Sequence, residues 1–128
     1  MTIKSVQNLV AEALSEVKTI SAHDALELSN NNECSLIDIR DTIELQQLGR
    51  IEKSHHISRG LLEFSLSPGS VYVENEGLNL DKELVLFCAA GGRSALAAKT
   101  LKEMGFNNVS HVEGGFGLMM QKGFKIKP

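Results

Sequence analysis

The chain has 128 residues, of which 42% are hydrophobic and 23% charged, the size and balance of one ordinary globular domain. A formal net charge of -3, with no run of lysines or arginines, leaves no electrostatic footprint for phosphate backbones or anionic lipid, so nucleic acid and membrane are not expected partners. Two prolines and eleven glycines, without repeat period or biased tract, argue against a solenoid or a disordered segment.

Met1-Thr-Ile-Lys4 passes straight into a mixed polar pattern, without the apolar stretch and cleavage site of a secretory signal. No other stretch is apolar for long enough to span a bilayer. A cytoplasmic protein is expected. Cys34 and Cys88 have neither metal-ligand nor redox-pair spacing, and in a reducing compartment they are expected to stay unbridged.

In chain order, Val6, Leu9, Val10, Ala13, Leu14 and Val17 recur at helical spacing behind Ser5, predicting an amphipathic first helix over about Ser5 to Val17. Thr19-Ile20 reads as a short strand and Ser21 to Leu28 as a second capped helix, ended by Asn30-Asn31-Asn32. Ser35 to Ile39 is a strand rich in branched residues, with charges at its exit. A helical turn over Thr42 to Leu48 is stopped by Gly49, His55-His56-Ile57 is a short strand, and Leu61 to Leu66 is helical. Pro68-Gly69 is a turn, and Tyr72 to Leu80 is read as a loop with one helical turn. Leu84 to Phe87 is a continuous apolar strand of the kind buried on both faces of a parallel sheet. A strong helix over Ser94 to Met104 follows, with Gly105 as its stop, then a strand over Val109 to Val112 and a short helix over Phe116 to Gln121. Strands alternating with helices predict an α/β domain with a parallel sheet covered on both faces, whose ligands bind outside the carboxyl ends of the strands.

Cys88 stands at such a strand end. Ala89-Ala90-Gly91-Gly92-Arg93 separates it from the helix beginning at about Ser94. That layout is expected to aim several backbone N–H groups and the positive end of a helix dipole into one cavity, which favours anions. A Cys88 thiolate would be such an anion, with a pKa expected below that of free cysteine. Gly91 and Gly92 permit positive backbone angles, and Arg93 is placed to hold a substrate oxyanion at the rim. A lone cysteine closing a strand is commonly just a buried apolar residue; the glycines, arginine and helix start together favour a reactive one. Cys34, with no such loop, is read as structural.

These pieces resemble the rhodanese-like sulfurtransferases. Leu36-Ile-Asp-Ile-Arg40 with Glu44, Gly49-Arg50-Ile51 with His56-Ile57-Ser58-Arg59-Gly60, Cys88 through Ser94, and Val112-Glu-Gly-Gly-Phe116 through Gly123 are similar to the family's four signatures. The active loop is the specific one. The likeness runs over 19–128, leaving 1–18 as an amphipathic helical extension. It implies a three-layer domain with a mostly parallel central sheet and helices on both faces. It further implies that Cys88 takes a sulfane sulfur from a donor such as thiosulfate, becomes a persulfide, and passes the sulfur to a thiophilic acceptor: cyanide, a thiol, or a partner protein's cysteine. Neither metal nor organic cofactor is implied. Arg50 departs from the family's usual histidine and Met119 from a common tryptophan, both read as structural changes. Neutral Ala89 and Ala90 replace the basic residue some members carry, which leaves donor preference open.

Asp38, Arg40 and Glu44 are expected to satisfy one another's charges beside the site. Arg59 is expected on the edge that carries Cys88, adding positive potential to the pocket mouth, with a surface position as the alternative. His55 and His56 point to opposite faces of a strand, which argues against a metal site, and His23 and His111 are read as isolated. Two rival functions are a non-catalytic binding or redox-sensing module and a cysteine phosphatase. Four residues lie between Cys88 and Arg93, and the phosphatases of similar fold use one more, which disfavours the second.

Overall fold

In the computed structural model, which describes residues 2–128, the chain builds seven helices and seven strands. The helices are α1 (Val6–Leu14), α2 (Ala22–Asn30), α3 (Thr42–Leu48), α4 (Leu62–Leu66), α5 (Val71–Glu76), α6 (Gly92–Glu103) and α7 (Gly115–Gln121). The strands are β1 (Lys18–Ile20), β2 (Cys34–Asp38), β3 (Arg50–Ile51), β4 (His55–His56), β5 (Glu83–Phe87), β6 (Val109–Val112) and β7 (Ile126–Lys127). A 3-10 turn over Arg59–Leu61 leads into α4.

Five strands form one sheet in the order β1-β6-β5-β2-β4, all neighbours parallel. The central strands β5 and β2 carry mostly apolar side chains, and the pleat sends alternate ones to opposite layers. Leu36, Val85 and Phe87 face a cluster with Ile20, Ala22, Ala25, Phe116 and Met119, under α2 and α7. Ile37, Leu84, Leu86 and Cys88 face a second cluster with Leu62, Leu66, Ala97, Ala98 and Leu101, under α4 and α6. The two-layer burial explains why Leu84 to Phe87 is an unbroken apolar run instead of an alternating one. It also decides which way the sulfur points: toward the layer of α6.

Ser5 and Ser21 cap α1 and α2 by accepting from the N–H groups of Asn8 and Asp24, as read from the sequence. The first helix is shorter than its periodicity suggests. It ends at Leu14, because Val17 is drawn into the α6 layer ahead of β1. It packs on α6, and Val10 lies beside Gly92, where an added Cβ would sit 3.8 Å from its Cγ2.

Three other expectations change. Helix α6 begins at Gly92, two residues before Ser94, so Arg93 and Ser94 belong to its first turn. Val71–Glu76 is a helix, capped by Ser70 and stopped by Gly77 in the left-handed conformation. A small antiparallel pair, β3 with β7, escaped detection because two residues carry no periodicity; it ties Arg50-Ile51 to the carboxyl terminus.

Candidate functional site

Strand β5 delivers Cys88 to the carboxyl edge of the sheet, and the loop of Ala89, Ala90 and Gly91 turns under the start of α6. Gly91 has φ +113°, a conformation only glycine adopts easily, and it turns its N–H back onto Cys88. That N–H donates to Sγ at 3.1 Å, and the N–H of Ser94 donates at 3.4 Å. The Ser94 hydroxyl lies 3.6 Å from the same sulfur. Cys88 is only 1% exposed, yet its sulfur is ringed by donors, unlike a cysteine that merely fills a core. Gly92 does not need its glycine for backbone angle: it is helical, and only Gly91 carries the positive φ of the pair.

The loop is held from behind by α7. Phe116 and Gly117, in its unpaired first turn, donate their N–H groups to the carbonyls of Cys88 and Ala89 at 2.8 and 3.4 Å. Gly115, at φ +56°, permits this approach: an added Cβ would meet the Cys88 carbonyl and lie 2.7 Å from the Ala89 carbonyl carbon. Gly114 and Gly115 entered the sequence reading only as part of a signature; the close contact gives their physical reason.

Arg93 is not a free cation at the rim. It forms a two-bond fork with Glu44 at 2.8 and 2.9 Å, so the charge expected to hold a substrate oxyanion is shared with a carboxylate. The pairing with Arg93 holds the Glu44 carboxyl at about 2, with smaller help from the Asp41 backbone N–H. The same bond raises Arg93, to which the neighbouring Cys88 also contributes. Arg93 retains 38% side-chain exposure. Glu44 also accepts from the N–H of Asp41, closing a capping box at the start of α3.

Asp38 and Arg40 pair with each other in full burial, Arg40 Nη2 to Asp38 Oδ2 at 2.8 Å, and Glu44 is not their partner. Arg40 also donates to Gly49 O and lies 3.9 Å over the ring of Phe116. It therefore braces α7 beneath the loop. Arg59 is half-buried and pairs with Glu63 at 2.7 Å and the hydroxyl of Thr100 at 3.3 Å, and among the described residues no hydrogen bond joins it to the Cys88 loop. Ser94 is fully buried, with its N–H and its hydroxyl both turned to the Cys88 sulfur. Ala89 and Ala90 put no side-chain polar group in the loop.

His111 is not isolated. Its Nδ1 lies 3.0 Å from Ser94 Oγ and its Nε2 2.9 Å from Thr19 Oγ1, and burial lowers its pKa. Sequence reasoning missed it because its two partners, Ser94 and Thr19, come from separate elements distant in the chain. His23 pairs with Glu27 at 3.1 Å on an exposed face of α2, with Asp24 beside them. Met119 is fully buried, as an apolar filler should be. Arg50 is not solvated along its length: its Nη2 donates to Ser54 O at 2.7 Å and its Nε is buried. Cys34 is buried among apolar neighbours, which pushes its thiol up to about 11.

The rhodanese-like domain matches residues 21–121. The chain belongs to this family. Thiosulfate sulfurtransferase GlpE of Pseudomonas putida is 33% identical over 105 residues, which cover 82% of this chain and 86% of that protein. Among solved structures, one from Rhodopseudomonas palustris, described as a protein of unknown function and "possible tyrosine phosphatase", is similar at TM-score 0.86 and 39% identity, covering 99% of this chain and 98% of its own. The polysulfide-sulfur transferase homodimer of Wolinella succinogenes is similar at TM-score 0.74 and 34% identity, covering 94% and 85%. Within the rhodanese-like fold, the loop from Cys88 to Arg93 occupies the carboxyl edge of a parallel sheet, where ligands of such sheets bind. No helix among the described residues is long and apolar enough to cross a membrane.

Proposed function

We propose that this rhodanese-like domain is a sulfurtransferase that works through a persulfide on Cys88. The observation that carries the proposal is the pair of backbone N–H donors, from Gly91 and Ser94, aimed at one sulfur. Hydrogen bonds to a sulfur anion favour that form over the thiol, and fixed donors require no reorganisation when charge develops. The Cys88 thiolate attacks the outer sulfur of a donor such as thiosulfate. The S–S bond of the donor breaks, sulfite leaves with the electron pair, and Cys88 carries one additional sulfur. A thiophilic acceptor then attacks that terminal sulfur and the thiolate returns. The sulfurtransferase relatives support this reading.

The loop is proposed to receive the donor through its backbone, Ala89 to Ser94, and through the exposed part of Arg93. Because Glu44 already engages that guanidinium, Arg93 contributes rim geometry more than net charge. Asp38, Arg40 and Glu44 are supports. Both cysteines are free, and a reducing compartment such as the cytoplasm keeps Cys88 available. The segment 1–18 is proposed to be an extension outside the catalytic unit, its helix lying against α6.

The purified protein treated with thiosulfate is expected to gain one sulfur atom on Cys88 by peptide mass spectrometry, and to lose it to cyanide as thiocyanate. Cys88→Ser should do neither. Absence of the adduct with thiosulfate, polysulfide and other sulfane donors alike would leave a binding module as the better reading. The description of the Rhodopseudomonas relative makes phosphatase chemistry a fair comparison. Four residues between Cys88 and Arg93 leave a small loop, and its arginine is forked onto Glu44 instead of facing a phosphoryl group. An aryl phosphate is expected to remain unhydrolysed; Cys88-dependent turnover would reverse the assignment.

A further inference from the structure

Behind the sulfur stands a file of side chains that attack on a donor does not itself require. Cys88 Sγ is 3.6 Å from Ser94 Oγ, Ser94 Oγ is 3.0 Å from His111 Nδ1, and His111 Nε2 is 2.9 Å from Thr19 Oγ1. Ser94 and His111 are buried, whereas Thr19 is exposed on the edge strand β1. The file thus runs from a buried sulfur to the protein surface. Its members come from the end of β5, from α6, from β6 and from β1, and Thr19 is the register partner of His111.

A hydroxyl has one proton to give, and a neutral imidazole has one donor and one acceptor. Burial disfavours the charged form of His111, with Glu113 opposing, so its surroundings favour the neutral ring. A neutral ring between two hydroxyls makes the file directional. With the proton on Nε2, His111 donates to Thr19 and accepts from Ser94, whose oxygen accepts from a Cys88 thiol. With the proton on Nδ1 every bond reverses: Thr19 donates to Nε2, Nδ1 donates to Ser94, and the Ser94 hydroxyl donates to an ionised Cys88. The N–H donors of Gly91 and Ser94 cannot reverse in this way, so the file is the part of the site that answers to the charge on sulfur.

We infer that His111 is a positioning residue for Cys88, acting through Ser94: its tautomer decides whether the Ser94 hydroxyl points at the sulfur. The inference rests on the proposal that Cys88 works as a thiolate. On ionisation the thiol proton passes to Ser94 Oγ and the Ser94 hydroxyl proton to Nδ1. The Nε2 proton passes to Thr19 Oγ1, and the Thr19 hydroxyl proton leaves to solvent. One proton is released, one negative charge remains on sulfur, and no bond between heavy atoms changes. The other charges around the file are Glu113 beside His111 and Arg93, with Glu44 and Asp41, beside Cys88. Asp38–Arg40, Lys18–Glu83, Lys4–Glu12 and Lys99–Glu16 are already matched pairs on β2, β1 with β5, and α1 with α6. The carbonyl of Gly91, 3.2 Å from Ser94 Oγ, competes for the serine proton; a hydroxyl fixed there would leave His111 in one tautomer at every pH.

The test is nitrogen NMR of the His111 ring in the full chain from about pH 5 to about pH 10, beside the rate of iodoacetamide alkylation at Cys88. Protonation is expected to move from Nε2 to Nδ1 as pH rises, at the pH where alkylation is half-maximal, and this crossover should vanish in Cys88→Ala. His111→Leu should slow alkylation at pH 7 by about tenfold and move its profile to higher pH, the scale of one lost hydrogen bond to a charged group. His111→Asn, which keeps an N–H near the position of Nδ1, should recover most of that loss. If His111→Leu does not fold, Thr19→Val reads the outer end of the file, and its crossover should move to higher pH. A single tautomer throughout in the unmodified protein, a crossover that survives in Cys88→Ala, or an unchanged alkylation profile in a folded His111→Leu or Thr19→Val would overturn the inference. None of these readouts uses a sulfane donor, so failure to form a persulfide would sink the proposed function alone.

Discussion

Glu44 and Arg93 meet in a fork of 2.8 and 2.9 Å that joins the start of α3 to the first turn of α6 across the mouth of the cysteine loop. The fork fixes Arg93 and, through it, the pitch of the helix whose first N–H groups face the sulfur. Arg93 holds the Glu44 carboxyl at about 2, below its ordinary range. A depressed carboxyl stabilises the folded state above its unfolded pKa, and that contribution is lost as pH falls through the folded value. Glu44→Gln is therefore expected to lower stability at pH 7 by on the order of 1 kcal/mol, discounted for partial exposure. The gap from the unmodified protein should close as pH approaches 2, measured by denaturant unfolding at both pH values.

Gly115→Ala should be far more damaging. The new Cβ would enter the backbone of Cys88 and Ala89, neither of which has a flexible end to move, and the residue would be held at positive φ. A loss of roughly 3 kcal/mol or a failure to fold is expected. Gly105→Ala, at positive φ but with nothing within 4 Å of the added carbon, is the control for backbone angle alone and should cost about 1 kcal/mol. Equal losses in the two variants would remove the close-packing argument.

The fully buried pair of Asp38 and Arg40 predicts non-additivity. Arg40→Met leaves a buried carboxylate without its cation, and the usual cost of that is about 3–5 kcal/mol. Replacing both, as Asp38→Asn with Arg40→Met, should cost less than Arg40→Met by itself. A double-mutant cycle by urea unfolding measures the difference, and simple addition of the two single losses would contradict the buried-pair account.

The two cysteines should separate cleanly under alkylation. Burial pushes the Cys34 thiol up to about 11, so at neutral pH almost none of it is the reactive thiolate. Iodoacetamide at pH 7 is expected to label Cys88 and spare Cys34 in the folded protein, and to label both in denaturant. The raised thiol also has a consequence for stability. Above the ordinary thiol range the unfolded chain loses a proton that the folded chain retains, so Cys34→Ala should narrow the fall in stability between that range and about pH 11.

The sequence by itself determined the parallel α/β sheet, because Leu84 to Phe87 is a local apolar run and Ser35 to Ile39 a strand rich in branched residues, each followed by a helical pattern. It also determined the loop that turns N–H groups onto Cys88, since a strand, Cys88, a glycine able to adopt positive φ and a helix start are contiguous in the chain. The direction of charges lay beyond it. That Arg93 meets Glu44 and that Arg59 reaches Thr100 depend on which long side chains fall within reach once the layers pack. His111 is the clearest case: nothing near it in sequence is a partner, and only the register of β1 with β6 and the seating of α6 on the sheet bring Thr19 and Ser94 to its two nitrogens. Backbone conformation follows from neighbours along the chain, while hydrogen bonds between buried side chains follow from packing across it.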